Sequence, residues 1–95
     1  MSQRRSKLDI VLNVLSAVKG GIDKPTRIMY FANLSWKPTQ NILGSLVEQS
    51  LLTEIERPGN KRSKKSYKIT EKGLNVLKYF EGANDLIDIP LFSEN

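Results

Sequence analysis

Arg57, Lys61, Arg62, Lys64, Lys65 and Lys68 fall within one short stretch, RPGNKRSKKSYKIT, that contains no Asp or Glu. Ammonium and guanidinium groups donate to anionic oxygen, and six of them without a counter-charge repel one another until an anion is supplied. Some of that run would be needed merely to keep an edge hairpin soluble, because lysine guards exposed strand edges. Six cations exceed that need, so the stretch points to phosphate. A second set, Lys37, Gln40 and Asn41, carries the side-chain types that meet phosphate oxygens and base edges, and Gly44 beside them would let a backbone approach closely. Ser35 and Ser45 flank this set. Arg27, Arg4 and Arg5 are further candidates for phosphate contact.

Other chemistries are short of parts. The chain has no Cys and no His, which removes disulfides, thiolates, zinc-type ligand sets and every His-based acid, base or triad. Glu54 and Glu56 lie two apart, on one face if their segment is a strand, and read as surface partners for nearby lysines. No phosphate-cradling glycine loop and no nucleophile with a base accompanies them, so neither an enzyme nor a metal or cofactor is expected. Charge is the positive signal. All 15 Lys and Arg precede residue 83, together with 7 of the 10 acidic residues, so residues 1–82 carry 15 − 7 = +8. A basic body of that size favours a polyanionic partner, nucleic acid before membrane.

The elements that must hold these residues can be read from apolar spacing. At 95 residues the chain makes one domain with a modest core, small enough to gain from association with a second copy. It divides into a basic arm at 1–5, a folded body at 6–82 and an apolar, acidic tail at 83–95. Leu8, Val11, Leu12, Leu15 and Val18 have helical spacing, with Ser6 and Asp9 placed as a capping box. A neighbouring stripe of Ile10, Val14 and Ala17 is more than one core face requires and offers a dimer surface. GGIDKP closes this helix and opens a short one over 26–33, with Ile28, Phe31 and Ala32 turned inward. Ser35 then caps a helix reaching about Ser50, buried through Ile42, Leu43, Leu46 and Val47. By subtraction its outward face is Lys37, Gln40, Asn41, Gly44, Ser45 and Glu48. Trp36 at its first turn reads as a staple onto the core rather than a group held out to a ligand.

Thr53–Arg57 and Ser66–Thr70 read as two strands of a hairpin. Setting Ile55 opposite Tyr67 or Ile69 centres the connection at Lys61 or Arg62, so the cations fall on a loop tip. Thr70 caps a last helix with Leu74, Leu77 and Phe80 inward and Gly82 as its stop, and the apolar tail with Pro90 is expected to dock on something. No uninterrupted apolar run of about eighteen residues exists. Asp9, Asn13 and Lys19 break the apolar stretch near the start, so no cleaved signal is expected, and the expected location is cytoplasmic, associated with the nucleoid.

Helix, helix, turn, helix, hairpin, helix is the order of an α+β winged helix-turn-helix, in which the third helix enters the major groove and the hairpin reaches the adjacent minor groove or phosphates. The stretches TRIMYFANLSW, LVEQSLLTE and YKITEKGLNVLKYF resemble the archaeal winged-helix proteins related to the small chromosomal DNA-binding protein with a C-terminal coiled coil, over about residues 6–81. The resemblance implies a homodimer on double-stranded DNA, acting as a transcription regulator or as a chromosomal protein. The chain departs from the best-known member at the C-terminus, where a long coiled coil follows the last helix but Gly82 and Pro90 are expected to cut it short here, so the dimer would use helix 1, helix 4 and the tail. The competing expectation is a protein-interaction module with the same fold, since winged helices also serve as scaffolds. RNA is a weaker third, for want of clustered exposed aromatics.

Overall fold

The computed structural model of the chain describes residues 6–58 and 64–87, with side chains described as far as residue 82. Its elements are α1 (Lys7–Lys19), α2 (Pro25–Ala32), α3 (Trp36–Glu48), β1 (Leu52–Arg57), β2 (Lys64–Ile69) and α4 (Glu71–Ile87). That is the winged-helix order expected from the sequence. Arg4, Arg5, Lys61, Arg62 and the docking of residues 88–95 lie outside the described residues.

Local signals set the helix boundaries. At α1 the reciprocal box forms, Asp9 N–H donating to the Ser6 hydroxyl at 3.0 Å and Ser6 N–H to the Asp9 carboxylate at 3.3 Å. Gly21, with φ +104°, makes the left-handed turn that follows, whereas Gly20 stays at φ −80°. Pro25 opens α2 where no amide partner is needed. The α2–α3 corner closes on Asn33 in the left-handed region, with Asn33 N–H donating to the Tyr30 carbonyl at 3.2 Å and Leu34 N–H to that of Met29 at 3.0 Å.

The core collects Val14, Leu15 and Val18 of α1, Ile28 and Ala32 of α2, Leu43 and Leu46 of α3, Leu51, Leu52, Tyr67 and Leu77. Two expectations for α1 change here. Val14 and Ala17, read as a second stripe for a partner, are buried within the monomer, while Leu8 stands 44% exposed and Val11 and Leu12 are half-buried. The buried seam is rotated because α2 and α4 both pack on α1 and cover a wider arc than one stripe. Phe31, expected inward, is 52% exposed, because an eight-residue helix with Ile28 and Ala32 against the core leaves its flank open. On α3 the buried set includes Thr39, whose hydroxyl donates to the Ser35 carbonyl at 2.8 Å, so its one polar group is satisfied inside the helix.

The hairpin register differs from expectation by one residue. Leu52 pairs with Ile69, Glu54 with Tyr67, Ile55 with Ser66 and Arg57 with Lys64. Leu52, not Ile55, is the core anchor of β1, and the two-residue period then turns Ile55 to the opposite face from Tyr67. Lys64 and Lys65, expected on the loop tip, are strand residues of β2, and so, as expected, is Lys68.

Thr70 does cap α4. Its hydroxyl accepts from Gly73 N–H at 2.9 Å and shares its one proton between the Ser50 and Leu51 carbonyls at 2.7 and 3.0 Å, binding the helix start to the α3–β1 connection. Leu77 is buried and Phe80 half-buried as expected, but Leu74 lies at the surface, 36% exposed. Gly82 does not stop the helix, which continues to Ile87. A glycine ends a helix only when its backbone swings left-handed, and inside one it costs about 1 kcal/mol relative to alanine, an amount the flanking turns absorb. Among the described residues no helix is long and apolar enough to cross a membrane.

Candidate nucleic-acid interface

The outward face of α3 follows from the core it leaves behind. With Thr39, Leu43 and Leu46 buried, Lys37, Gln40, Asn41, Gly44, Ser45 and Glu48 are all exposed, as read by subtraction from the sequence. A Cβ built on Gly44 would meet nothing within 4 Å, so this face is open there. Ser45 is already engaged, its Oγ accepting from Gln49 Nε2 at 3.0 Å. Ser35 occupies the N-cap with extended backbone, yet its side chain makes no capping bond. Its carbonyl receives Thr39 instead, and the expected hydroxyl cap is replaced by this internal link. Arg27 is exposed on α2 and Lys24 stands at that helix's N-cap.

On the hairpin the ladder sorts the cations by face. Residues directly opposite one another point the same way, and direction alternates along each strand. One face therefore carries Leu52, Glu54, Glu56, Lys65, Tyr67 and Ile69. The other carries Thr53, Ile55, Arg57, Lys64, Ser66 and Lys68. Lys65 sits opposite Glu56 and its Nζ lies 3.6 Å from Glu54 Oε2, the one ion pair found among the described residues. Glu54 is thus a lysine partner, as the sequence suggested, while Glu56 faces Lys65 across the ladder without an ion pair. The second face holds three cations and no acid, with Arg57 and Lys64 directly opposite each other. Like charges in that relation destabilise a hairpin unless an anion lies over them.

This sorting corrects the sequence reading, which treated Arg57, Lys64, Lys65 and Lys68 as one set. No composition signal separates Lys65 from its neighbours; only the register does. Tyr67, packed against the core on the ion-pair face, has its phenol pushed above the ordinary value of 10.0, first by burial and then by the Glu54 carboxylate across the ladder.

Three aromatic side chains that the sequence left inward or ambiguous are exposed as well. Tyr30 is 73% exposed, Phe31 52% and Trp36 48%, all at the α2–α3 corner. The staple expected of Trp36 is not made in full. From Lys24 to Val47 there is no acidic residue at all. Among the described residues no group of acidic side chains could hold a metal ion.

The sequence model of the winged helix-turn-helix family matches residues 4–88. The chain is 34% identical over 86 residues to the uncharacterized protein MJ0290 of Methanocaldococcus jannaschii, an alignment covering 90% of this chain and 37% of that one. It therefore spans well under half the length of that relative. Among solved structures it is similar to Sso10a-2, a DNA-binding protein from Sulfolobus solfataricus, with a TM-score of 0.67 at 26% identity over 88% of this chain and 83% of that one. A mutant of MepR from a multidrug-resistant S. aureus clinical isolate superposes with a TM-score of 0.76 at 16% identity, covering 92% and 64% of the two chains, a likeness of fold.

Proposed function

Since the chain belongs to the winged helix-turn-helix family, we propose that it binds double-stranded DNA, with α3 in the major groove and the hairpin on the flanking phosphates. The observation that carries this reading is the acid-free face of the hairpin, where Arg57 stands opposite Lys64 without an ion pair and Lys68 lies further along near Asp23, while Lys65 on the other face is paired. Such a face is complementary to a phosphate row. Lys37, Gln40 and Asn41 in the first half of α3 then meet base edges and backbone, and Arg27 and Ser35 lie near enough in sequence to extend the contact to phosphate. Glu48 closes the face at its far end. The likeness to the DNA-binding Sso10a-2 supports the same assignment.

We assign the working form as a homodimer through α1 and α4, which carry the exposed Leu8, Leu74 and Tyr79 and between them line a shallow groove with Leu12, Ser16, Leu77, Phe80 and Glu81. Sedimentation that returns only monomer at micromolar concentration would remove this part of the proposal. The role is that of a regulator or chromosomal protein.

The DNA reading is tested by gel retardation of duplex DNA across a salt series. With roughly four to six phosphates neutralised per subunit, the logarithm of affinity falls with the logarithm of salt at a slope of roughly four to five. Replacing Arg57, Lys64 and Lys68 by glutamine flattens that slope, by about 0.9 for each phosphate that is no longer neutralised. Lys65→Gln leaves it nearly unchanged. A duplex that is never retarded, together with salt-insensitive binding to a protein, would establish the interaction-module reading instead.

A further inference from the structure

We infer that the α2–α3 corner is a base-stacking surface, on which Tyr30, Phe31 and Trp36 take an unstacked nucleobase of the bound nucleic acid. The inference rests on the DNA reading above and adds to it a structural preference, for DNA whose stack is already broken.

The large apolar side chains left exposed among the described residues fall into two groups. Leu8, Leu74 and Tyr79 belong to α1 and α4; Tyr30, Phe31 and Trp36 belong to the last turn of α2 and the first residue of α3. The second group is confined to a corner held rigidly. Asn33 and Leu34 close the turn on the Tyr30 and Met29 carbonyls, and Thr39, itself fully buried, is bonded back to Ser35 through both its hydroxyl and its N–H at 2.8 and 3.2 Å. The rings are thus presented on fixed backbone and do not collapse onto the core.

Their surroundings select the occupant. Lys24, Arg27 and Lys37 are exposed in the same stretch of chain as the rings, and no carboxylate occurs between Lys24 and Val47, so the segment that carries the aromatics is cationic throughout. A protein helix docking by apolar contact would need no such charge. A nucleotide does, because it offers a flat π-face attached to a phosphate. Base–aromatic stacking accepts any base, and a ring beside a duplex engages most readily where the pairing is already disrupted. The corner leads directly into the N-terminal half of α3, the part of that helix placed against the groove in the DNA reading.

Trp36 is the only tryptophan in the chain, so its emission reports on this corner alone. The probes are a short fully paired duplex and the same duplex with a central run of mismatched pairs, each added to the intact protein. The mismatched duplex binds about tenfold more tightly and quenches Trp36. Trp36→Ala and Tyr30→Ala, read by anisotropy of a labelled duplex, remove the preference and leave paired-duplex affinity nearly intact; Trp36→Phe restores most of it. Equal binding of the two duplexes with unquenched emission would overturn the stacking surface while leaving DNA binding in place. Failure to retain either duplex would overturn both. Trp36 emission that responds to self-association and not to DNA would overturn the proposal too, and make the corner a protein contact.

Discussion

Two glycines lie on helices of this chain in opposite circumstances. At the seam between α4 and the hairpin, a Cβ on Gly73 would collide with the Leu51 carbonyl oxygen and the Ile69 side chain; on the outward face of α3, a Cβ on Gly44 would meet nothing. Gly73 belongs to a joint where Thr70 ties two carbonyls and one amide together and Lys72 Nζ reaches the Gln49 carbonyl at 2.9 Å. Gly44 belongs to a surface on which Lys37, Gln40 and Asn41 stand exposed. The seam uses its contacts to hold the hairpin and α4 against the end of α3, and the outer face depends on that joint for its orientation. Under the proposed DNA reading, stability and recognition are carried by different residues, and substitutions should separate them.

The largest expected effect tests the seam. Gly73→Ala forces backbone and Ile69 apart and lowers unfolding free energy by about 1–3 kcal/mol, measured by urea denaturation; a variant as stable as the parent would break the contrast. Thr70→Val removes the cap and leaves its amide and carbonyl partners short of one hydroxyl, for a loss of about 1 kcal/mol in the same assay. At Gly44 the sign reverses. Gly44→Ala, in an open helical position, raises stability by about 0.5–1 kcal/mol, while retardation of duplex DNA weakens because the added methyl stands where the backbone approaches. The smallest effect concerns pH. Burial favours the neutral phenol of Tyr67, so its folded-state pKa is raised; that contribution is complete below about pH 10 and is lost as pH rises beyond. Tyr67→Phe should match the parent in thermal melts at neutral pH and outlast it in alkali.

What the sequence disclosed was local. The Ser6–Asp9 box, Pro25 at the head of α2 and the Thr70 cap each act within one turn, and all three stand where their residues announce them. The outward face of α3 was legible because a 3.6-residue period fixes both sides of a helix once one side is apolar. The hairpin register was not, since Leu52 and Ile55 are equally apolar and only packing decides which one meets the core. From that single choice follow the reversal of Ile55 and the pairing of Lys65 with Glu54. Phe31 and Trp36 escape a sequence reading for a related reason: a short helix and a first turn have edges, and periodicity says nothing of how far the core extends past them. Gly82 suggests a stop by its residue type, where the deciding quantity is a backbone angle.

The opposed pair Arg57 and Lys64 gives the free protein an unusual response to electrolyte. Simple salt screens their repulsion and so firms the hairpin, while the same salt displaces the chain from a polyanion. The two curves run in opposite directions. Under the proposed DNA reading, rising ionic strength leaves this domain better folded and less occupied, and heat tolerance in solution is a poor guide to occupancy of DNA.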